Sequence, residues 1–262
     1  MFARLLVCVL LVGATMRSQG AELKSEAVSA WEAYVDSKEA RMEQCPRVSI
    51  ASSSEAAHLQ QGAIVIHPAV NNGSFSVPSG LIHDWIGTVF IPHASLRDVL
   101  ARIRSYDEYP DFYNPSVVDA KVIDSHGDSD RYALTMRQDV LTVRTGLAGE
   151  YVSEYHRVDP AHAFSFTSGV RLQEIAKLGS GNQQLLDPDE GSGFIWRIYS
   201  EARYEEADGG VYLQLEVSAL SRTVPRALGW AVNPIIEKIS RSALTATLRQ
   251  TRDAVLQENG SK

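Results

Sequence analysis

Between residues 117 and 220 the chain repeats one short-range pattern. Apolar and polar residues alternate with period two in runs at 117–124, 131–143, 151–158, 164–173, 194–205 and 211–220. Alternation at that period marks strands with one buried face. Most gaps between the runs are shorter than the dozen or more residues a crossover connection needs, so neighbouring strands must run antiparallel. Turn residues mark the breaks: Gly127-Asp128, Gly146, Asp159-Pro160 and Asp208-Gly209-Gly210, of which Asp-Gly-Gly is a strong hairpin signal. One break is longer. Residues 174–193 carry Gly179-Ser180-Gly181-Asn182 and Asp187-Pro188-Asp189-Glu190-Gly191 and read as a flap over whatever the sheet encloses.

Helical signals bracket this region. Ahead of it, His83, Trp85, Gly87, Val89 and Ile91 alternate with Asp84, Ile86, Thr88 and Phe90 in a strand that stops at Pro92. Ser95 then caps a helix whose stripe is Leu96, Val99, Leu100 and Ile103, leading into an aromatic, acidic loop at 106–115. Behind it, Asn233-Pro234 is a good helix start, and 235–256 keeps apolar residues at helical spacing. Nearer the N-terminus, residues 22–43 place Leu23, Ala27, Ala30, Trp31, Tyr34, Val35 and Met42 on one stripe of an amphipathic helix ended by Pro46. Residues 48–79 read as a linker with one short strand around 63–66.

The first twenty residues read as a secretory leader: Arg4 is the positive region, 5–12 the apolar core, and Ser18-Gln19-Gly20 offers small residues before a cut near Gly20/Ala21. The expected location is secreted or periplasmic. Cys8 would leave with the leader, so Cys45 stands alone and no internal disulfide is expected. The domain plan is therefore a leader at 1–20, a helix at 21–47, a linker at 48–79 and a main domain at 80–258.

Charge and motifs narrow the chemistry. With 25 Lys+Arg against 32 Asp+Glu the net charge is -7, and loss of Arg4 and Arg17 makes it more negative, which argues against nucleic acid as a partner. The chain carries no Gly-x-Ser-x-Gly, His-Glu-x-x-His, Gly-Lys-Ser or Gly-x-Gly-x-x-Gly motif. Its seven histidines are scattered without ligand spacing, so neither a metal nor a cofactor is expected. Arg222, Arg226, Lys238, Arg241, Arg249 and Arg252 give the C-terminal region a basic tilt that suits transient contact with a membrane surface, although a solvated helix face is the plainer reading.

A strand, a short helix, an aromatic Tyr-Pro loop, a meander of long strands and a long terminal helix are the element order of the START-like helix-grip superfamily, also called the polyketide cyclase or SRPBCC group. The chain resembles it over about residues 79–256. More narrowly, the segments 80–85, 90–92, 193–197, 205–212 and 221–225, with Gly229-Trp230, resemble a group of exported bacterial proteins. The resemblance implies an α+β fold in which a curved antiparallel sheet wraps a long C-terminal helix, with an N-terminal helical extension. It also implies a cavity between sheet and helix that takes a hydrophobic small molecule or lipid. A cyclase or hydratase-like enzyme in the same cavity, or a partner-binding module docking through the N-terminal helix, are the rival readings.

Alternation sets Phe194, Trp196, Ile198 and Tyr204 on one face of their strand and Arg197, Tyr199, Glu201 and Arg203 on the other without saying which is inward; the aromatic face is the expected lining. Trp85, Tyr109, Tyr113, Phe194, Trp196, Arg197 and Trp230 are thus the candidate ligand contacts, Tyr and Trp because they pair an apolar body with a hydrogen-bonding edge. Among polar candidates, His83 and Asp84 point to opposite faces of one strand, so at most one looks inward, while Arg197 and Glu201 are expected to pair with cross-strand neighbours on the outer surface.

Overall fold

The computed structural model describes the backbone of residues 21–140, 143–224 and 226–260, and their side chains outside 138–145, 225–233 and 259–260. Residues 1–20, where a leader is expected, and the side chain of Trp230 lie outside the described residues. In chain order the elements are β1 (Ala21–Glu22), α1 (Ser25–Gln44), α2 (Ser53–Gln60), β2 (Ile64–Pro68), β3 (Ser74–Val77), β4 (Gly80–Pro92) and α3 (Leu96–Ile103). A 3-10 turn at Tyr106–Glu108 leads into α4 (Tyr109–Phe112). Then come β5 (Val117–His126), β6 (Ser129–Val140), β7 (Val143–Asp159), β8 (His162–Ala176), β9 (Gln184–Leu185), β10 (Glu190–Gly191), β11 (Arg197–Ala207), β12 (Gly210–Arg222) and α5 (Arg226–Gly260).

Every strand pair in the main sheet is antiparallel, in the order β2-β4-β12-β11-β8-β7-β6-β5. From β4 onward this is the helix-grip arrangement: the domain's first strand lies beside its last, and the long C-terminal helix crosses the concave face. The turns follow from local chemistry. Ala207 pairs with Gly210, leaving a two-residue loop in which Asp208 and Gly209 hold φ of 54° and 76°, as the tight turns that match strand twist require. Ser95 caps α3 through a full capping box with Asp98, so Ser95→Ala is expected to cost about 1 kcal/mol in chemical denaturation.

α5 packs on the sheet through Leu244 and Leu248, in one core with Trp85, Val89, Ile91, Leu213 and Tyr204. Gly87 makes the approach close. A Cβ there would lie 2.6 Å from Leu248 Cδ1 and 3.1 Å from Leu244 Cγ, so a side chain at 87 would push the helix off the strand.

Three expectations change. Residues 48–79 are not a linker with one strand: α2, β2 and β3 are folded, and both strands extend the sheet along β4. That segment gains its order from tertiary packing, as Ile64 and Ile66 join the core under α5. The C-terminal helix does not begin at Pro234, which lies inside it. Proline's φ is already helical and a long helix can lose one hydrogen bond. The N-terminal helix is not a free docking arm, because α1 lies on the convex face of the sheet and buries Ala27, Trp31, Lys38 and Met42 there.

Candidate ligand-binding face

Which residues face α5 follows from register. Trp85 pairs with Val217, Gly87 with Leu215, Val89 with Leu213 and Ile91 with Val211, and this set packs under the helix. The next row toward the β4 N-terminus links His83 to Ala219 and Ala219 to Ile198, and on the far strands Gly169 to Tyr151 and Tyr151 to Tyr132. The concave face is thus aliphatic on β4 and β12 and tyrosine-rich on β6 and β7.

The tyrosines form a continuous stack. Tyr106 lies 3.9 Å from Tyr132 between ring centroids, and Tyr132 lies 5.7 Å from Tyr151, with planes near parallel. Most of their hydroxyls are held: Tyr106 reaches Asp130 at 3.1 Å and Tyr155 at 2.8 Å, Tyr132 reaches Ser153 at 3.1 Å, and Tyr204 reaches Ser165 at 3.0 Å. Asp130 is itself gripped at 2.8 Å by both Nε and an Nη of Arg104, which outweighs its burial and holds its carboxyl below the usual value. Tyr151 is the exception. Its hydroxyl is buried and has no hydrogen-bond partner among the described residues, and its ring lies across Gly149, where a Cβ would sit 2.6 Å from Leu172 Cδ2 and 2.9 Å from the hydroxyl oxygen. Burial, with Tyr132 adjacent, pushes its pKa far above the usual tyrosine range, so it is a neutral donor.

His83 is the other polar group on this row. Its Nε2 lies 2.8 Å from Ser221 Oγ, and burial lowers its pKa to about 4, which keeps the ring neutral at pH 7. Asp84 points to the opposite face, as alternation requires. Among the described residues no three His, Cys, Asp or Glu side chains gather to hold a metal, and no helix is long and apolar enough to cross a membrane.

The candidate contacts divide. Trp85 lies on the concave face, its ring 5.7 Å below the Arg241 guanidinium and pressed on Gly73, whose φ of 87° and lack of a Cβ allow that approach. Tyr109 and Tyr113 pack at the edge of the tyrosine stack, Tyr109 donating to the Ile103 carbonyl at 2.6 Å and Tyr113 bonded to Thr251 at 2.8 Å. Trp196 is elsewhere. It packs with Trp31, Ala27, Ile82 and Leu220 beneath α1, Phe194 is exposed, and Arg197 pairs with Asp189 of the 174–193 segment. Trp196 and Phe194 precede the first residue of β11, so the alternation that places Ile198 and Tyr204 inward does not extend to them. Glu201 also departs from expectation: it is buried under α1, with Arg203 of its own strand as partner.

Two features escaped the sequence reading. Tyr151 and Tyr132 are ordinary strand residues until the sheet curves. Lys38 did carry a signal, since it falls on the stripe of Trp31, Val35 and Met42 at helical spacing, where a lysine must find a buried partner.

No family model and no curated protein matches the chain. Among solved structures it is similar to a STAR-related lipid transfer protein from Xanthomonas axonopodis, at 14% identity and TM-score 0.48, covering 70% of this chain and 98% of that one. It is also similar to the Zhui aromatase/cyclase from a Streptomyces species, at 13% identity and TM-score 0.43, covering 67% and 94%. A START superfamily protein from Mycobacterium smegmatis gives 13% identity and TM-score 0.41, covering 67% and 98%. Likenesses at this level carry no argument about ligand or activity. The helix-grip fold rests on the strand order and on the packing of α5.

Proposed function

We propose that the protein is an exported carrier or receptor for a hydrophobic small molecule or lipid, held on the concave face under α5 with a polar group against Tyr151. The observation that carries this reading is the Tyr151 hydroxyl, buried among Leu172 and Gly149 without a partner. Leaving such a donor unpaired costs about 1–3 kcal/mol, a cost that a ligand carbonyl or hydroxyl would remove. Export rests on the leader pattern of residues 1–20. Collection of the ligand at a membrane surface belongs to the same proposal, through Lys238 and Arg249, which are exposed on α5. Binding is favoured over acid–base catalysis because His83, the titratable group beside this row, is held near pKa 4, far from the neutral range where a general base works best.

The test is native mass spectrometry of the protein purified without detergent, with organic extraction of any bound molecule, on the wild type and on Tyr151→Phe. The wild type is expected to carry a stoichiometric apolar ligand. Tyr151→Phe is expected to bind it about tenfold more weakly, the loss of one hydrogen bond, while the melting temperature of the ligand-stripped protein stays level or rises because an unpaired hydroxyl is gone. An empty wild type with no thermal gain across a lipid panel would sink the reading. Equal affinity in Tyr151→Phe would reduce Tyr151 to packing.

A further inference from the structure

The convex face of the sheet buries more acid than base. Under α1, Lys38 lies 2.8 Å from Asp84 and also binds Glu216, while Arg203 reaches Glu201 at 3.2 Å and Glu216 at 3.7 Å. Lys38, Asp84, Glu201 and Glu216 are all buried. Two cations balance two carboxylates, so the third carboxyl can stay out of water without uncompensated charge only by holding a proton. The arrangement singles out Glu201. It sits directly opposite Glu216 across β11 and β12, placed to share a proton with it, and takes Arg203 at 3.2 Å, whereas Asp84, whose Oδ1 is buried without a partner among the described residues, binds both Lys38 and Tyr34.

The groups around it can be named element by element. From α1 come Lys38, bound to Glu216 and Asp84, Tyr34, bound to Asp84, and Glu39; from β12 comes Glu216, from β4 Asp84, and along β11 Tyr199 and Arg203. On β8 the residue facing Glu201 is Phe166, which does not titrate. Burial, against the pull of Lys38 and Arg203 and with the push of Glu216, lifts the Glu201 carboxyl to about 7. Burial raises Asp84 as well, against Lys38, whereas at Glu216 the attraction of Lys38 outweighs burial and lowers it.

We propose that one proton on the Glu201 carboxyl latches α1 to the sheet, so that the helix is held tightly below neutral pH and loosens above it. With α1 undocked, Glu201 meets water and returns to an ordinary carboxylate value near 4.5. A carboxyl raised in the docked state contributes fully below about pH 4.5, loses that contribution as pH climbs to about 7, and is flat beyond. Between pH 6 and pH 8.5 the docking equilibrium should therefore weaken about tenfold. Asp84 adds to this direction and Glu216 opposes it at acid pH. The apolar contacts of Ala27 and Trp31 with Ile82, Trp196 and Leu220 remain, so the helix loosens and does not depart.

The test is amide hydrogen exchange over residues 25–44 at pH 6 and pH 8.5, corrected for the intrinsic rate, with β6 and β7 as internal reference. The wild type should lose about tenfold protection in α1 alone, and Glu201→Gln, which keeps an amide oxygen for Arg203, should lose clearly less, keeping only the part that Asp84 contributes. Protection that ignores pH in the wild type, or an unchanged slope in Glu201→Gln, overturns the latch. Should that variant not fold, carbon-detected titration of the wild-type Glu201 carboxyl decides: ionisation near pH 7 supports the latch and ionisation near 4.5 overturns it.

Discussion

Lys38→Met is expected to lower stability by about 3–5 kcal/mol, because it leaves Asp84 and Glu216 buried without their shared counter-ion. For a chain of this size that is a fall of roughly 6–20 °C in melting temperature. Methionine fills most of the space of the lysine stem, so the loss measures charge more than volume. Two further results separate the causes. With Lys38 gone, both carboxyls would be raised in the folded state relative to water, a contribution present below the unfolded pKa and lost as pH rises; the deficit should therefore be smaller at pH 4 than at pH 8. Adding Asp84→Asn and Glu216→Gln to Lys38→Met should recover part of it at pH 8, since the uncompensated charge is removed. A deficit that is small, or the same at both pH values, would mean that water reaches the cluster and that α1 does not seal it.

Leu248→Ala is expected to cost about 2–5 kcal/mol, the range for emptying a fully buried leucine site. The site is where α5 meets the sheet, and Gly87 allows the contact. Gly87→Ala alone should cost about 1–3 kcal/mol, as its new methyl would meet Leu248 at 2.6 Å and Ile66 at 2.7 Å. The two changes should not add. Removing the Leu248 side chain clears one of the two clashes, so the double variant should be less destabilised than the sum of the singles, by an amount that a denaturant double-mutant cycle resolves. Strict additivity would show that α5 is not seated on β4 through this pair.

These two experiments probe the two faces of one sheet, and the faces were unequally legible. The concave face could be read in outline: strand alternation at His83, Trp85, Gly87, Val89 and Ile91, the Ser95 cap and the Asp208-Gly209 turn all depend on residues within a few positions of one another, and all are found in the structure. Trp196 and Phe194 failed as lining residues because β11 starts after them, and a strand boundary is set by hydrogen bonds to β12 and β8, not by alternation alone. The convex face was read as solvent because nothing local says that α1 covers it. Asp84, Glu201 and Glu216 alternate like surface residues, and only Lys38, placed among Trp31, Val35 and Met42, hinted that charge goes inside.

What the sequence determined by itself is therefore the periodic content of an acidic chain: antiparallel strands, the amphipathic helices and most of the turns, although Gly146, read as a turn, lies inside β7. Those features rest on backbone geometry and on the burial of one face, both of which act within a few residues. The tertiary structure decided which face is inward at each strand end, that residues 48–79 extend the sheet, that Tyr151 is left as an unpaired donor and that three carboxyls share two cations beneath α1. Each of these depends on groups distant in sequence, such as Lys38 and Glu216, being brought to hydrogen-bonding distance away from water, where the strength of an interaction is set by what surrounds it as much as by the residues that make it.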